Sequence, residues 1–138
     1  MLNYIFPVRD LSDSRSAGLS ALEFHDLPWA PKRIYWLKDF KPGITRGNHA
    51  HKSLSQIFTV LRGAITIELF QGTANVSTRM TIESGQLLVE PGTWRIIKDA
   101  TEDAILLVLA SSAYNEEDYI RDWNQYTKWY KDEYLSEA

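Results

Sequence analysis

The chain has 138 residues, 44% of them hydrophobic, with no cysteine and a formal net charge of −3. That length predicts one domain around one core, and the hydrophobic content excludes a disordered chain. The acidic balance argues against a nucleic-acid partner, and the lack of cysteine removes both disulfides and thiolate metal sites.

The N-terminal run "MLNYIFPVRDLSDSRS" lacks the basic start, apolar centre and small-residue cleavage site of a signal peptide. Short segments with β character then recur between turn signals. They are "YIFPV" (4–8), "SALEF" (20–24), "KRIYWLKDF" (32–40), the stretch opening "RGNHAH" (46–51), "QIFTVLRG" (56–63) and "AITIELF" (64–70). "ANVSTRMTI" (74–82), with Val76, Thr78, Met80 and Ile82 on one face, is followed by "GQLLVEPG" (85–92), "TWRII" (93–97) and "AILLVLA" (104–110). Period-two alternation broken by Gly, Pro and Asn predicts a sandwich or barrel. The longest apolar run, 104–110, is too short to cross a bilayer, so a soluble cytoplasmic protein is expected. Over 115–135 the apolar residues Tyr119, Ile120, Trp123, Tyr126 and Tyr130 fall near helical spacing. Asn115 is the expected N-cap of one C-terminal helix there, with Glu116, Glu117 and Asp118 at its positive end.

His49 and His51 stand one residue apart on an expected strand, a spacing that often signals metal in β proteins. Gly47 precedes them, Gln56 and Gly63 follow, and Gly85, Pro91, Gly92, Trp94 and Arg95 come later. This series resembles the two signature motifs of the cupin superfamily, which implies an all-β, double-stranded β-helix or jelly-roll barrel. In metal-binding cupins the first motif supplies His-x-His and a glutamate, and the second a further histidine. Here Gln56 and Arg95 stand in those last two places. A neutral amide is a weak ligand, and a guanidinium has no lone pair to offer a cation. Catalytic divalent sites need about three good ligands, so the expected site holds no metal. Two unligated imidazoles on one strand face can exchange protons near neutrality, or they can be hydrogen-bonded structural residues.

The longer stretches "KRIYWLKDFKPGITRGNHAHKSLSQIFTVLRGAITIEL", "GQLLVEPGTW" and "VLASSAYNEEDYIRDW" resemble the dTDP-sugar 3,4-ketoisomerase family (WxcM-like) over almost the whole chain. That resemblance implies an isomerase acting on dTDP-4-keto-6-deoxyglucose, in the biosynthesis of 3-amino-3,6-dideoxysugars for surface polysaccharides. The family's two essential histidines match His49 and His51, and its strand tyrosine matches Tyr35. Arg46 matches the arginine suited to a diphosphate. Arg33, Lys52, Gln56, Trp94 and Arg95 complete the substrate-binding set that the resemblance implies. Members pair as dimers through N-terminal strands, so Arg15 is expected to reach the partner's site. The chain departs from the family at Arg95 and Lys98, where histidines are common.

The reading is therefore a single cupin domain over 1–138, a likeness-based homodimer with an exchanged N-terminal strand, and metal-free acid–base catalysis by His49, His51 and Tyr35 with no cofactor. Its rivals are a sugar-nucleotide-binding module without catalysis and a metal-dependent cupin oxygenase, the latter disfavoured by Gln56 and Arg95.

Overall fold

The computed structural model describes residues 4–6, 8–13, 15 and 17–136. Among them the strands are β1 (Tyr4–Phe6), β2 (Arg9–Asp10), β3 (Ser20–Ala21), β4 (Arg33–Leu37), β5 (Arg46–His51) and β6 (Gln56–Arg62). Then follow β7 (Ala64–Gln71), β8 (Ala74–Thr81), β9 (Gln86–Val89), β10 (Trp94–Lys98), β11 (Ile105–Ala110), β12 (Tyr119–Ile120) and helix α1 (Trp123–Tyr130). One sheet runs β1-β9-β6-β11-β4 and the other β12-β5-β10-β7-β8, all neighbours being antiparallel. The two sheets bear out the sandwich or barrel predicted from the alternating pattern, in the jelly-roll form that the cupin resemblance implies.

The core lies between the two sheets because one face of each strand is apolar. In β7, Ile65, Ile67 and Leu69 are buried while Thr66, Glu68 and Phe70 are half-buried. Facing residues such as Phe58, Val60, Met80, Leu87, Leu106 and Val108 close the same cluster. Burying side chains of this size stabilises the fold by roughly 1.5–3 kcal/mol each before entropy is counted. Val76 and Met80 join that inner face, but Ile82 is exposed in a short 3₁₀ turn after β8. Of the stretch 20–24 only Ser20–Ala21 is extended, and Phe24 starts another 3₁₀ turn.

The C-terminal stretch contains the expected helix, interrupted and starting later than Asn115. Asn115 does cap a turn, accepting from Glu117 N at 3.1 Å, but that turn is 3₁₀ and ends at Asp118. Tyr119 and Ile120 are extended and pair with His51 and Ala50 of β5. The α-helix starts only at Trp123, capped by Asp122, and passes into a π-helical turn at Lys131–Leu135. Pairing with the edge of β5 satisfies backbone groups that a continuous helix would leave exposed there, so tertiary contact overrides local propensity.

Tyr126 fastens α1 to the barrel. Its hydroxyl accepts from Gly72 N at 3.1 Å and faces the carbonyls of Gly92 and Phe70 at 2.8 and 3.1 Å. Gly92 N in turn donates to His51 O at 2.8 Å, so the helix is tied to the histidine strand through one glycine. Tyr126→Phe leaves a buried donor and acceptor without partners and should cost about 1–3 kcal/mol. Denaturant unfolding that shows no loss of stability would contradict this role.

Candidate active site

Strand β5 carries the histidines, and a bulge aims them. Arg95 of β10 pairs with His49 while the next residue, Ile96, pairs with Gly47, which leaves Asn48 as the extra residue. Gly47 and Asn48 both adopt positive φ, +82° and +55°. A Cβ at Gly47 would lie 3.0 Å from Arg95 O and 3.1 Å from Arg95 Cγ, so glycine lets the arginine pack against the bulge.

Beyond the bulge the period of two is restored, and His49 and His51 project to the same face. Their rings meet edge to face, with centroids 4.9 Å apart and the Nε2 atoms at 3.2 Å. His49 Nδ1 lies 3.0 Å from Gly47 O. Since a carbonyl only accepts, that nitrogen carries the proton and Nε2 is left to react. His49 lines a cavity of about 400 Å³, and His51, only 1% exposed, sits behind it.

Arg95, the cross-strand partner of His49 on β10, also lines the cavity. It is buried, donates to Thr93 O at 2.9 Å and, through Nη1, to Gln56 Oε1. Because the guanidinium can only donate, it fixes the orientation of the Gln56 amide. The amide nitrogen of Gln56 then donates to the Tyr35 hydroxyl at 3.0 Å. The lone pair of Tyr35 is thereby engaged, and its own proton is free for the cavity. Burial raises the Tyr35 pKa, with Gln56 and Arg95 opposing, so the phenol keeps that proton near neutrality.

The same charge acts on the histidines. Burial first, then Arg95, pulls the His49 pKa down to about 3; burial, Arg95 and His49 together pull His51 down to about 2. Burial lowers Arg95 itself to about 10, which leaves it charged at neutral pH. Two neutral imidazoles thus face a permanent cation. Among the described residues no three of His, Cys, Asp or Glu cluster as a metal-ligating group. The two remaining ligand places of the cupin motif hold an amide and a cation, which do not fit a divalent ion.

Most of the residues expected at the site are gathered in it. Arg33, Tyr35, Arg46, His49, Gln56 and Arg95 all line the cavity. Trp94 does not. It is buried on the other face of β10, against Trp123 and Tyr126. Adjacent strand residues alternate faces, so Trp94 and Arg95 could not both point inward. Lys52 lies beyond the turn of β5, beside Trp129 and outside the cavity lining, and Arg15 is exposed next to Asp13.

Two lining residues were not expected. The Tyr119 ring lies 4.8 Å from the ring of His49 and 4.2 Å from that of His51. Arg121 lies 4.1 Å over Tyr119, held by Glu116 at 2.8 and 2.9 Å. Their spacing of two in "DYIRD" is a strand signal, masked by the helical periodicity around it.

The sequence model of the FdtA family, described as WxcM-like, C-terminal, matches residues 3–131. The chain belongs to this family. It is 34% identical over 131 residues to a TDP-4-oxo-6-deoxy-alpha-D-glucose-3,4-oxoisomerase of Aneurinibacillus thermoaerophilus, covering 94% of this chain and 93% of that one. The QdtA sugar 3,4-ketoisomerase of Thermoanaerobacterium thermosaccharolyticum, solved with TDP, superposes with a TM-score of 0.90 at 34% identity, covering 96% and 97%. A variant of that enzyme was solved with TDP-4-keto-6-deoxyglucose. A 3,4-ketoisomerase from Helicobacter canadensis gives 0.88 at 35% identity, covering 94% and 98%. The cupin-like barrel with its C-terminal helix is shared by these FdtA-family relatives. Among the described residues no helix is long and apolar enough to cross a membrane.

A pH dependence of stability follows from the neutral histidines. Their folded pKa values lie below the unfolded value of about 6.5, so the unfolded chain binds more protons as pH falls. Stability is full above pH ~6.5 and declines below it, with a slope approaching about 1.4 kcal/mol per pH unit for each ring. His51→Asn should flatten that slope between pH ~6.5 and ~4 in urea unfolding. Parallel slopes for the variant and the wild type would show that the pair is not held neutral.

Proposed function

We propose that this protein is a 3,4-ketoisomerase of dTDP-4-keto-6-deoxyglucose that works by histidine acid–base chemistry without metal or redox cofactor. The observation that carries the reading is a neutral imidazole, His49, on the wall of a cavity that the Tyr35 phenol also lines. The relatives' enzymes are named for this reaction, and one was solved with this substrate.

The C3 proton of the sugar is acidic because it lies next to the C4 ketone. His49 Nε2 removes it and the electron pair moves through C3–C4 to the C4 oxygen, giving an enediolate that takes a proton on that oxygen to become the enediol. Reprotonation at C4 and loss of the C3 hydroxyl proton place the ketone at C3. No atom is gained or lost, so no oxidant is required. Tyr35 donates to the oxygen where charge develops, and the Arg95 charge stabilises the same anion. Arg46 and Arg33 suit the diphosphate, whose oxygens match a guanidinium fork. Arg121 offers a third fork, already engaged by Glu116. The product ketone at C3 is the group a transaminase would convert to a 3-amino sugar.

The assembly we propose is a homodimer. In the single chain β1 lies on β9 of its own sheet, at the sheet's edge. Exchange of β1 would keep the same pairing between two chains, and it would carry Arg15, remote from its own cavity, towards the partner's. Ile34 and Trp36, both more than half exposed on the outer face of β4, add apolar surface for a second copy to cover.

His49→Asn and His51→Asn should each lower turnover of dTDP-4-keto-6-deoxyglucose by about 10²–10⁴ with dTDP binding retained. In deuterated water the wild type should place deuterium at C4 of the 3-ketone, and activity should survive exhaustive chelation. Near-normal turnover in both variants would make the pair structural, and activity restored only by a divalent ion would overturn the metal-free mechanism. Light scattering at micromolar concentration should give the mass of two chains; a monomer would remove the dimer and the cross-subunit role of Arg15.

A further inference from the structure

Asp118 lies outside the cavity lining and belongs to the 3₁₀ turn before β12. Its carboxylate accepts from Ser53 N at 2.9 Å, Ser53 Oγ at 2.6 Å and Leu54 N at 3.1 Å. Its Oδ2 is also 3.3 Å from His51 Nδ1. That nitrogen is buried and makes no aligned hydrogen bond with any described group, the 3.3 Å contact with Asp118 being one of charge and proximity. A buried ring nitrogen needs a partner, and this carboxylate is the polar group that faces it.

Counting protons decides what the contact does. His49 Nδ1 carries a proton because it faces the Gly47 carbonyl, so His49 Nε2 is a lone pair in the neutral ring. A neutral His51 has one proton to place. On Nε2 it would donate to His49 and leave the Nδ1 lone pair against a carboxylate oxygen. On Nδ1 it faces a full negative charge at 3.3 Å, which outweighs the cost of leaving two neutral Nε2 lone pairs 3.2 Å apart. The other charged or titratable groups around His51 are Arg95, His49, Tyr119, Arg121 and Arg33. The four besides His49 come from β4, β10, β12 and the residue after β12, and none supplies an acceptor carboxylate.

We propose that Asp118 is a positioning residue that holds His51 in its Nδ1–H tautomer, so that two bare Nε2 atoms face each other at 3.2 Å and share the proton taken from the substrate. His51 is then the second half of the base rather than a hydrogen-bond donor that blocks it. The positive charge created on the pair lies beside the Asp118 carboxylate, whose Oδ2 is 3.3 Å from His51 Nδ1. The tautomer stands on this geometry alone; its kinetic consequence rests on the reaction proposed above.

The test reads the tautomer directly. In the ¹⁵N-labelled full-length wild type, two-bond ¹H–¹⁵N correlations near neutral pH should show His51 protonated at Nδ1 and bare at Nε2. A wild-type His51 protonated at Nε2 would overturn the proposal without any variant being made. Asp118→Asn keeps an oxygen for Ser53 but turns an amide N–H towards Nδ1, which should switch His51 to the Nε2–H form. The kcat should then fall about 10²–10⁴-fold, as when a catalytic histidine is left in the wrong tautomer, while KM changes little. Asp118→Glu should recover part of that loss and return the Nδ1–H signal. A folded Asp118→Asn variant with wild-type kcat and an unchanged tautomer would sink the idea. An inactive wild type showing the Nδ1–H tautomer would instead count against the proposed reaction and support the assignment.

Discussion

A guanidinium with 1% exposure sits where two β-sheets converge, and the site is arranged around the cost of burying it. Taking a charge out of water costs several kcal/mol unless hydrogen bonds replace the lost hydration. Thr93 O and Gln56 Oε1 supply two of those bonds. The second is the more consequential, because an amide that accepts at one end must donate at the other. Polarity therefore runs in one direction from Arg95 through Gln56 to Tyr35. The same charge, acting second to burial, helps keep the neighbouring imidazoles unprotonated.

The scaffold explains why these groups stay in register. β5 is held on one side by β10, across a bulge that only a glycine can open, and on the other by the two residues of β12. β12 brings Tyr119 against both rings, and the turn before it brings Asp118 up behind His51. Helix α1 adds nothing to the cavity lining but closes the outer face of β10 through Trp94 and Tyr126. Trp123, Tyr126, Trp129 and Tyr130 of α1 are spent on that packing.

The barrel was legible because half-buried antiparallel strands alternate, and β7 shows it residue by residue. The placing of the proposed catalytic pair was legible because a period of two puts His49 and His51 on one face whatever surrounds them. Gln56 and Arg95 were legible as departures from a motif, but their joint effect on Tyr35 was not, since β4 lies more than 20 residues before them. The stretch from Asn115 to Asp122 was misread for a definite reason. Its caps and acidic residues do mark helical turns, two of them, and the extended Tyr119–Ile120 between them is imposed by β5, a partner 68–70 residues earlier. Asp118, Tyr119 and Arg121 were hidden inside that error. Trp94 failed as a site residue through simple alternation, its neighbour Arg95 having taken the inward face.

The Arg95 side chain also changes what it means for this site to be complete. An ion recruited from solution has an occupancy, set by its concentration and by whatever else competes for it. A cation that is part of the polypeptide has none, because it arrives with the fold and cannot be exchanged or titrated away by a scavenger. The electrostatic setting of the histidines is then a property of each chain rather than of its surroundings. At neutral pH, losing that charge from the site requires the buried side chain to leave its place.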